Sequence, residues 1–335
     1  QYFCSLVIPQ SIFFLTAYKE MRRRIFGYID VISMLHLGTG AFDNGFGTVA
    51  LVMQMGNMLN QNGIFYDLRE GKTSITKQTM FWNKESVYVN NMRNINKMPN
   101  CVMAYWCPDS IAEAFSKYPQ IRDEFELECG IKNGNNSKFL RAWFEVSDEK
   151  INFSNERKLC LKNMECGKKW FKCNKGGGYK KWYGNYEYVV DLEHNASNIR
   201  TTISPSTYRL RKQENYFWPT ITWPLSGGNK FGCRYMQIDT LPDVNANIII
   251  LSSVKEYCLM GYMNSIVFET VLDMLNPTVN FPIDTIGSAP YIEVDDEDIK
   301  ECVEQNIKIA KQDWDSFECS WDYQSHPLIR QTDTI

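Results

Sequence analysis

The first seventy residues alternate between two hydrophobic periods, and that alternation restricts the fold more than any other feature of the chain. Phe3–Ile8 is a short apolar run ended by Pro9, as expected of a buried strand. Thr16 is placed to cap a helix over Ala17–Phe26, with Tyr18, Met21 and Ile25 on its apolar face and Gly27 as its stop. Ile29–Leu37, Thr48–Gln54 and Ile64–Asp67 read as three further strands, the last two joined as a hairpin by the Gly/Asn-rich stretch Gly56–Gly63. Strand, helix, strand and hairpin is how an open α/β sheet often finishes. Three or four strands with one helix cannot cover both faces of a sheet, so the expectation is half a domain. The chain starts with Gln1 and enters a core-like strand at once, which reads as a fragment whose upstream part is missing.

From about Asn90 the texture changes to frequent Gly, Asn and Pro turns with aromatics among them. Tyr186–Asp191 and Ile248–Ser252 look like strands, and short helices are expected near Ser110–Lys117 and Pro119–Glu124. Two longer helices follow. In Gly261–Leu275, Met263, Ile266, Val267, Val271, Met274 and Leu275 recur at helical spacing, and Pro277 ends the run. In Asp298–Phe317, Ile299, Val303, Ala310, Trp314 and Phe317 do the same. Both stripes read as core-packing faces. The whole is an α/β segment followed by an α+β domain and C-terminal helices. The apolar runs are strand-length, so no membrane span is expected, and basic residues follow rather than precede the N-terminal apolar run, unlike a secretory signal.

The net charge of −3 hides a strong segregation. Residues 157–181 carry nine basic residues against one acid, Glu165, whereas 293–322 carry eleven acids against three lysines. The 11 cysteines contain no CxxC pair, and His36, His194 and His326 lie far apart. Neither pattern suits zinc, and reduced thiols of a cytoplasmic protein are the expectation.

The basic stretch is interleaved with aromatics and glycines. Lys168, Lys169, Lys172, Lys175, Lys180 and Lys181 can neutralise phosphates, and Trp170, Trp182 and Tyr183 offer flat surfaces. Gly176–Gly178 lets the chain approach a backbone closely. In the loop 129–141, Asn135, Asn136, Lys138 and Arg141 can reach base edges or phosphates. Arg209, Arg211 and Lys212, followed by Tyr216, Phe217 and Trp218, form a third basic-aromatic segment, and Lys230 lies downstream. A Lys-rich solvated loop and an ordinary Asn/Gly turn are the bland alternatives.

Some motifs are missing. An AdoMet-dependent methyltransferase needs a Gly-rich turn after its first strand, and His36-Leu-Gly-Thr-Gly-Ala-Phe42 comes late in its sheet with no convincing helix after it. Amino-group methyltransferases also need an Asp/Asn-Pro-Pro-aromatic turn to hold a flipped base. Asn276-Pro277-Thr278 and Ser288-Ala-Pro-Tyr291 lack the paired prolines.

Gly-Lys-Lys-Trp-Phe at 167–171, Asn174-Lys-Gly-Gly, and Lys181-Trp-Tyr-Gly-Asn-Tyr-Glu-Tyr-Val-Val190 nevertheless resemble a run in the BREX phage-defence adenine-specific DNA methyltransferase family, PglX. So do Ile221-Thr-Trp223, Lys230-Phe-Gly-Cys-Arg-Tyr235, Gly261-Tyr-Met-Asn-Ser265, Leu275-Asn-Pro-Thr-Val-Asn280 and Asp313-Trp-Asp-Ser-Phe-Glu-Cys-Ser-Trp-Asp322. Pro9-Gln-Ser-Ile-Phe-Phe-Leu and Met34-Leu-His-Leu-Gly are similar to the strand and helix that follow that family's catalytic turn. The loop at 130–141 departs from the common form, with Asn133 where Thr is usual and Cys129 just before the glycine.

The resemblance implies an enzyme that methylates the exocyclic amine of adenine in double-stranded DNA with S-adenosyl-L-methionine. The catalytic half and cofactor site would lie upstream, and other proteins of the defence system are possible partners. It divides the chain into residues 1–90, the tail of the catalytic AdoMet-methyltransferase-like sheet, 91–290, a target-recognition domain, and 291–335, a C-terminal helical segment. This chain alone would then be inactive, with no catalytic, cofactor or metal residues of its own. A non-catalytic specificity module serving a separate catalytic subunit is the alternative, and an RNA-binding or purely structural protein is a third. The tail of an α/β sheet at 3–68 favours the first reading, since a pure specificity module has no use for it.

Overall fold

Pro9 ends the first strand by sequence logic, and in the computed structural model β1 spans Tyr2–Pro9. The structure describes residues 2–26, 28–42, 45–55, 62–91, 97–228, 230–251, 256–276, 278 and 280–330. The fold is mixed α/β, and the chain divides into two units. The first comprises Gln1–Gln120 with Thr270–Pro277 and Ser288–Ile292. After β1 come α1 (Lys19–Phe26), β2 (Asp30–Gly38), β3 (Thr48–Met55), β4 (Gly63–Asp67), α2 (Ser74–Trp82), β5 (Val87–Asn90) and α3 (Asp109–Lys117). Thr16 does not cap the first helix. It opens a 3-10 turn, Thr16–Tyr18, and α1 starts at Lys19.

These strands form one five-stranded sheet in the order β1-β3-β2-β4-β5. β3 runs antiparallel to both of its neighbours, and β4 runs parallel to β2. The expected β3–β4 hairpin is therefore not formed, although residues 56–61 of its proposed loop lie outside the described residues. The reason is edge occupancy. β3 registers with β1 from Tyr2↔Met55 to Pro9↔Thr48 and with β2 along its other edge, which leaves none for β4. One sheet face buries Val31, Met34, Val49, Leu51, Met53 and Phe65 against Phe13, Phe26, Met103 and Tyr105. The opposite face exposes Phe3, Val7, Ile64 and Val89, at 66, 60, 43 and 65%. It carries an open apolar groove of about 460 Å³ lined by Leu35, Ala50, Val52, Tyr66 and Phe81 among others.

The second unit holds α4 (Ile121–Glu124), β6 (Leu127–Cys129), α5 (Asn136–Phe139), β7 (Leu140–Ala142), α6 (Arg157–Cys166), β8 (Trp170–Asn174), β9 (Tyr188–Asp191) and α7 (Glu193–Thr202). Then follow β10 (Thr220–Pro224), β11 (Arg234–Met236), β12 (Thr240–Pro242), β13 (Ala246–Ile250), α8 (Tyr257–Met263), α9 (Ile266–Leu275, whose residues from Thr270 onward count with the first unit), α10 (Ile283–Gly287), α11 (Glu297–Trp314) and α12 (Pro327–Arg330). β11-β10-β13-β6 is an antiparallel sheet, and β12-β8-β9-β7 is mixed, with β12 parallel to β8.

The single helix expected over Gly261–Leu275 is two helices, α8 and α9, bent by 66° at Asn264–Ser265. Asn264 breaks it because its amide pairs with both main-chain groups of Cys233, at 3.0 and 3.1 Å. Ser265 Oγ then accepts the N–H of Phe268 at 3.3 Å and caps a new helix. Ile266 and Val267 consequently face solvent rather than a core. α11 follows its stripe more closely, capped by Asp296 and burying Val303 and Trp314, while Ile299 and Phe317 stay partly exposed. No single helix among the described residues is long and apolar enough to cross a membrane.

Candidate nucleic-acid interface

The basic stretch begins with α6, runs along β8 and enters the glycine loop before β9. β8 is covered on both faces, burying Trp170, Phe171, Cys173 and Asn174, and Lys172 at its centre is half-buried. Its Nζ sits 2.7 Å from Asp239, itself buried. Lys169 pairs with buried Asp191 at 3.4 Å. Lys181 meets Glu269 at 3.3 Å and the Asn264 carbonyl at 2.8 Å. Lys168 donates to the Glu149 carbonyl. Three of the six loop lysines are thus neutralised within the protein.

Lys175 and Lys180 are not. Lys175 lies over the Tyr188 ring at 4.9 Å and Lys180 over Trp314 at 5.9 Å. Exposed Lys230 lies over Tyr179 at 5.9 Å. None of the three has a carboxylate within 4 Å among the described residues, so each keeps a charge to offer a phosphate. Of the aromatics singled out, Trp170 and Tyr183 are only 8 and 6% exposed and serve the core. Trp182 is half-buried, with φ +72° and main-chain bonds to Cys233 and Tyr235 that weld it to β11. The outward ring of this loop is Tyr179, 42% exposed, which sequence reasoning passed over.

The 129–141 loop is organised from inside by Asn133, which is 3% exposed. Its Oδ1 accepts the Asn135 N–H and its Nδ2 donates to Asn136 Oδ1, both at 2.9 Å. Asn135 caps α5 by accepting the Lys138 N–H at 3.1 Å. Both acceptor oxygens are therefore engaged, while Asn135, Asn136 and Lys138 stay exposed at the surface. Arg141 folds back, its Nη1 donating to the carbonyls of Ser137 and Leu140 at 2.6 and 2.7 Å. Lys132 and Arg209 exchange main-chain hydrogen bonds at 2.8 Å, which brings two exposed cations together from 77 residues apart (209 − 132). That pairing had no sequence signal. Arg211 forms an ion pair with Glu128, and exposed Lys212 lies 3.5 Å from Glu214.

A cleft in this unit, about 730 Å³, opens beside α11 and the 315–327 segment. Its cation, Lys311, is held by Asp315 and Asp322 at 2.6 Å each, so the cleft offers no net positive field.

In the first unit, His36 is buried between Tyr105 Oη and Gln10 Oε1, at 3.1 Å from each. The Gly38–Gly40 turn is closed by its own chain. A Cβ on Gly38 would meet Arg69 at 3.2 Å, and one on Gly40 would meet the Lys72 carbonyl at 2.4 Å. These glycines serve close chain approach, and the turn does not fit an AdoMet molecule. No group of three or more potential metal ligands lies among the described residues.

No family model matches the chain. It is similar to the adenine-specific methyltransferase PglX of Lacticaseibacillus casei (strain Zhang), 29% identical over 349 residues, covering 97% of this chain and 28% of that protein. It is also similar to the adenine-specific methyltransferase BrxX of Escherichia coli O9:H4 (strain HS), 26% identical over 341 residues, covering 99% and 27%. The chain therefore spans just over a quarter of these relatives, and it matches their C-terminal part. Among solved structures, the Type IIL restriction-modification enzyme MmeI in complex with DNA gives a TM-score of 0.54 at 10% identity, over 98% of this chain and 45% of that one. That likeness is one of fold.

Proposed function

We propose that this chain supplies DNA target recognition to an adenine-specific DNA methyltransferase of a phage-defence system, acting on double-stranded DNA. The observation that carries the reading is the sorting of lysines. Lys169, Lys172 and Lys181 are paired with acids, whereas Lys175, Lys180 and Lys230 keep unpaired charge around one rigid loop. A solvated loop has no need of such sorting. A surface for phosphates does, because only an unpaired cation releases a counterion on binding. Asn135, Asn136, Lys138 and Arg209 extend the surface with planar amides and further cations suited to base edges and backbone.

Residues 1–90 are read as the end of a catalytic sheet, 91–290 as the target-recognition domain and 291–335 as a helical segment. The apolar, uncovered face of the five-stranded sheet supports the first assignment, since a complete α/β domain covers both faces. S-adenosyl-L-methionine would supply the methyl group in such an enzyme. The Gly38–Gly40 turn does not fit it, and no step through it is assigned to these residues.

The test is duplex binding across a salt series. Replacing Lys175, Lys180 or Lys230 by Ala should weaken binding to all sequences alike and lower the log–log salt slope by roughly 0.9 each. Lys172→Ala should leave the slope unchanged, because Asp239 already neutralises that charge. Equal slopes for parent and Lys180→Ala would refute the phosphate-contacting surface.

A further inference from the structure

Among the described residues, two arginines are fully buried, Arg22 and Arg234. Arg22 directs its guanidinium at four main-chain carbonyls. Arg234 engages only Nη2, which donates to Asn174 Oδ1 at 3.2 Å and to the Gly176 carbonyl at 2.8 Å. Its Nε and Nη1 meet no acceptor among the described residues, and no carboxylate lies within ion-pair distance. Burial lowers its pKa to about 10, which still leaves it charged at neutral pH. Taking such a charge out of water without a countercharge is costly. Such a charge is expected where an anion compensates it.

The glycine loop is bonded directly to this guanidinium. Gly176 and Gly177 have φ of +83° and +70°, a conformation favouring glycine. Asn185 Nδ2 holds the carbonyls of Gly176 and Gly178 at 2.5 and 3.1 Å. The Gly176–Gly177 and Gly178–Tyr179 peptides therefore turn their carbonyls toward Arg234 and Asn185. A trans peptide points its N–H opposite to its carbonyl. The N–H groups of Gly177 and Tyr179 then point away from both, and neither donates to a protein acceptor among the described residues. Gly177, Gly178 and Tyr179 are exposed, and unpaired Lys230 lies over the Tyr179 ring.

We propose that this loop is a backbone phosphate clamp: the N–H groups of Gly177 and Tyr179 receive one DNA phosphate, Lys180 and Lys230 flank it, and Arg234 and Asn185 are positioning residues that hold the two peptide planes. The clamp rests on the DNA-recognition reading above. Outward amides on a fixed loop make an anion-binding concavity, and the positive charge bonded to it adds a favourable field.

The decisive variant converts the Gly178–Tyr179 peptide into an ester, by incorporating the α-hydroxy analogue of tyrosine at 179. It removes one N–H and no side chain, and that N–H has no protein partner, so thermal unfolding should match the parent. Affinity for a short duplex should fall about tenfold on target and scrambled sequences alike, the scale of one hydrogen bond to a charged group. The salt slope should stay parental, since no cation is removed. Arg234→Met gives the second readout: stability retained or raised, with affinity again lowered about tenfold. An ester variant that binds like the parent overturns the clamp while the lysine slopes still support DNA recognition. A parent chain that fails to bind duplex even at low salt overturns the function proposed above, and this clamp with it.

Discussion

Replacing Arg22 with methionine is expected to destabilise the first unit by on the order of 4 kcal/mol, because buried polar groups stripped of their partners each lose about 1–3 kcal/mol. The guanidinium, with no exposed surface, donates from Nη1 to the Ile12 and Leu15 carbonyls at 2.7 and 2.8 Å. From Nη2 and Nε it reaches Asn100 and Cys101 at 2.8 and 3.0 Å. It thus ties α1 and the turn before it to a segment 78 and 79 residues away in sequence. Asn100 and Cys101 have φ of +56° and +53°, and strained positions of this kind persist only where the surroundings fix them. Methionine keeps the apolar stem and removes all the donors. Lysine offers one point charge in place of a planar fork and should recover only part of the loss. Urea unfolding of the parent and the Arg22→Met and Arg22→Lys variants measures this. A loss under about 1 kcal/mol for Arg22→Met would mean that the carbonyls find water instead.

The second large effect is acid sensitivity of the same unit. Burial, reinforced by the neighbouring Arg69 charge, pushes the His36 imidazole down to about 3. Its ordinary value is about 6.5, so the unfolded chain binds a proton that the folded chain refuses. Stability from this group is complete above pH 6.5 and falls as the pH drops from 6.5 toward 3. At pH 4.5 the loss is on the order of 2–3 kcal/mol, at about 1.4 kcal/mol per pH unit. Asp67 acts in a lower window. Burial opposes its ionisation, but the bonds from Arg69, at 2.6 and 2.9 Å, hold its pKa below the ordinary carboxylate value. That contribution is present above about pH 4 and is lost as the pH falls further. Unfolding midpoints measured from pH 7 to pH 4 should drop for the parent and drop less for His36→Gln. Parallel curves would assign the acid loss to other groups.

Much of the fold could be read from local pattern. β1 to β4, α3, α4 and α11 fall close to where alternation, capping residues and turn residues put them, since those signals lie within each segment. What escaped depends on distant residues. β4 pairs with β2 rather than β3 because β3 had already used both edges. The break between α8 and α9 follows from Cys233 meeting Asn264, a contact between residues 31 apart. Arg22 stands beside Arg23 and Arg24 with no local sign that sets it apart, and its four carbonyl partners, two of them from residues 100 and 101, explain why it is interior.

The candidate site divides in the same way. The basic, aromatic and Gly-rich composition of 167–183 is local and legible. Which lysines remain charged is not, because Asp191, Asp239 and Glu269 lie 22, 67 and 88 residues from Lys169, Lys172 and Lys181. Trp170 and Tyr183 were read as stacking surfaces from composition alone, whereas packing of Trp170 with Ile151 and Val189, and of Tyr183 with Tyr186 and Trp314, places both in the interior. Arg234 sits inside a run already noted for its family resemblance, yet nothing local distinguishes a buried arginine from an exposed one.

Lysine footprinting tests DNA recognition by the second unit most directly. The chain is acetylated with and without a duplex at low salt, and each lysine's reactivity is read by mass spectrometry. DNA should protect Lys175, Lys180 and Lys230, together with exposed Lys138, and leave exposed Lys19 and Lys308 as reactive as before. Protection of Lys19 or Lys308 with Lys180 and Lys230 still fully reactive would contradict the account.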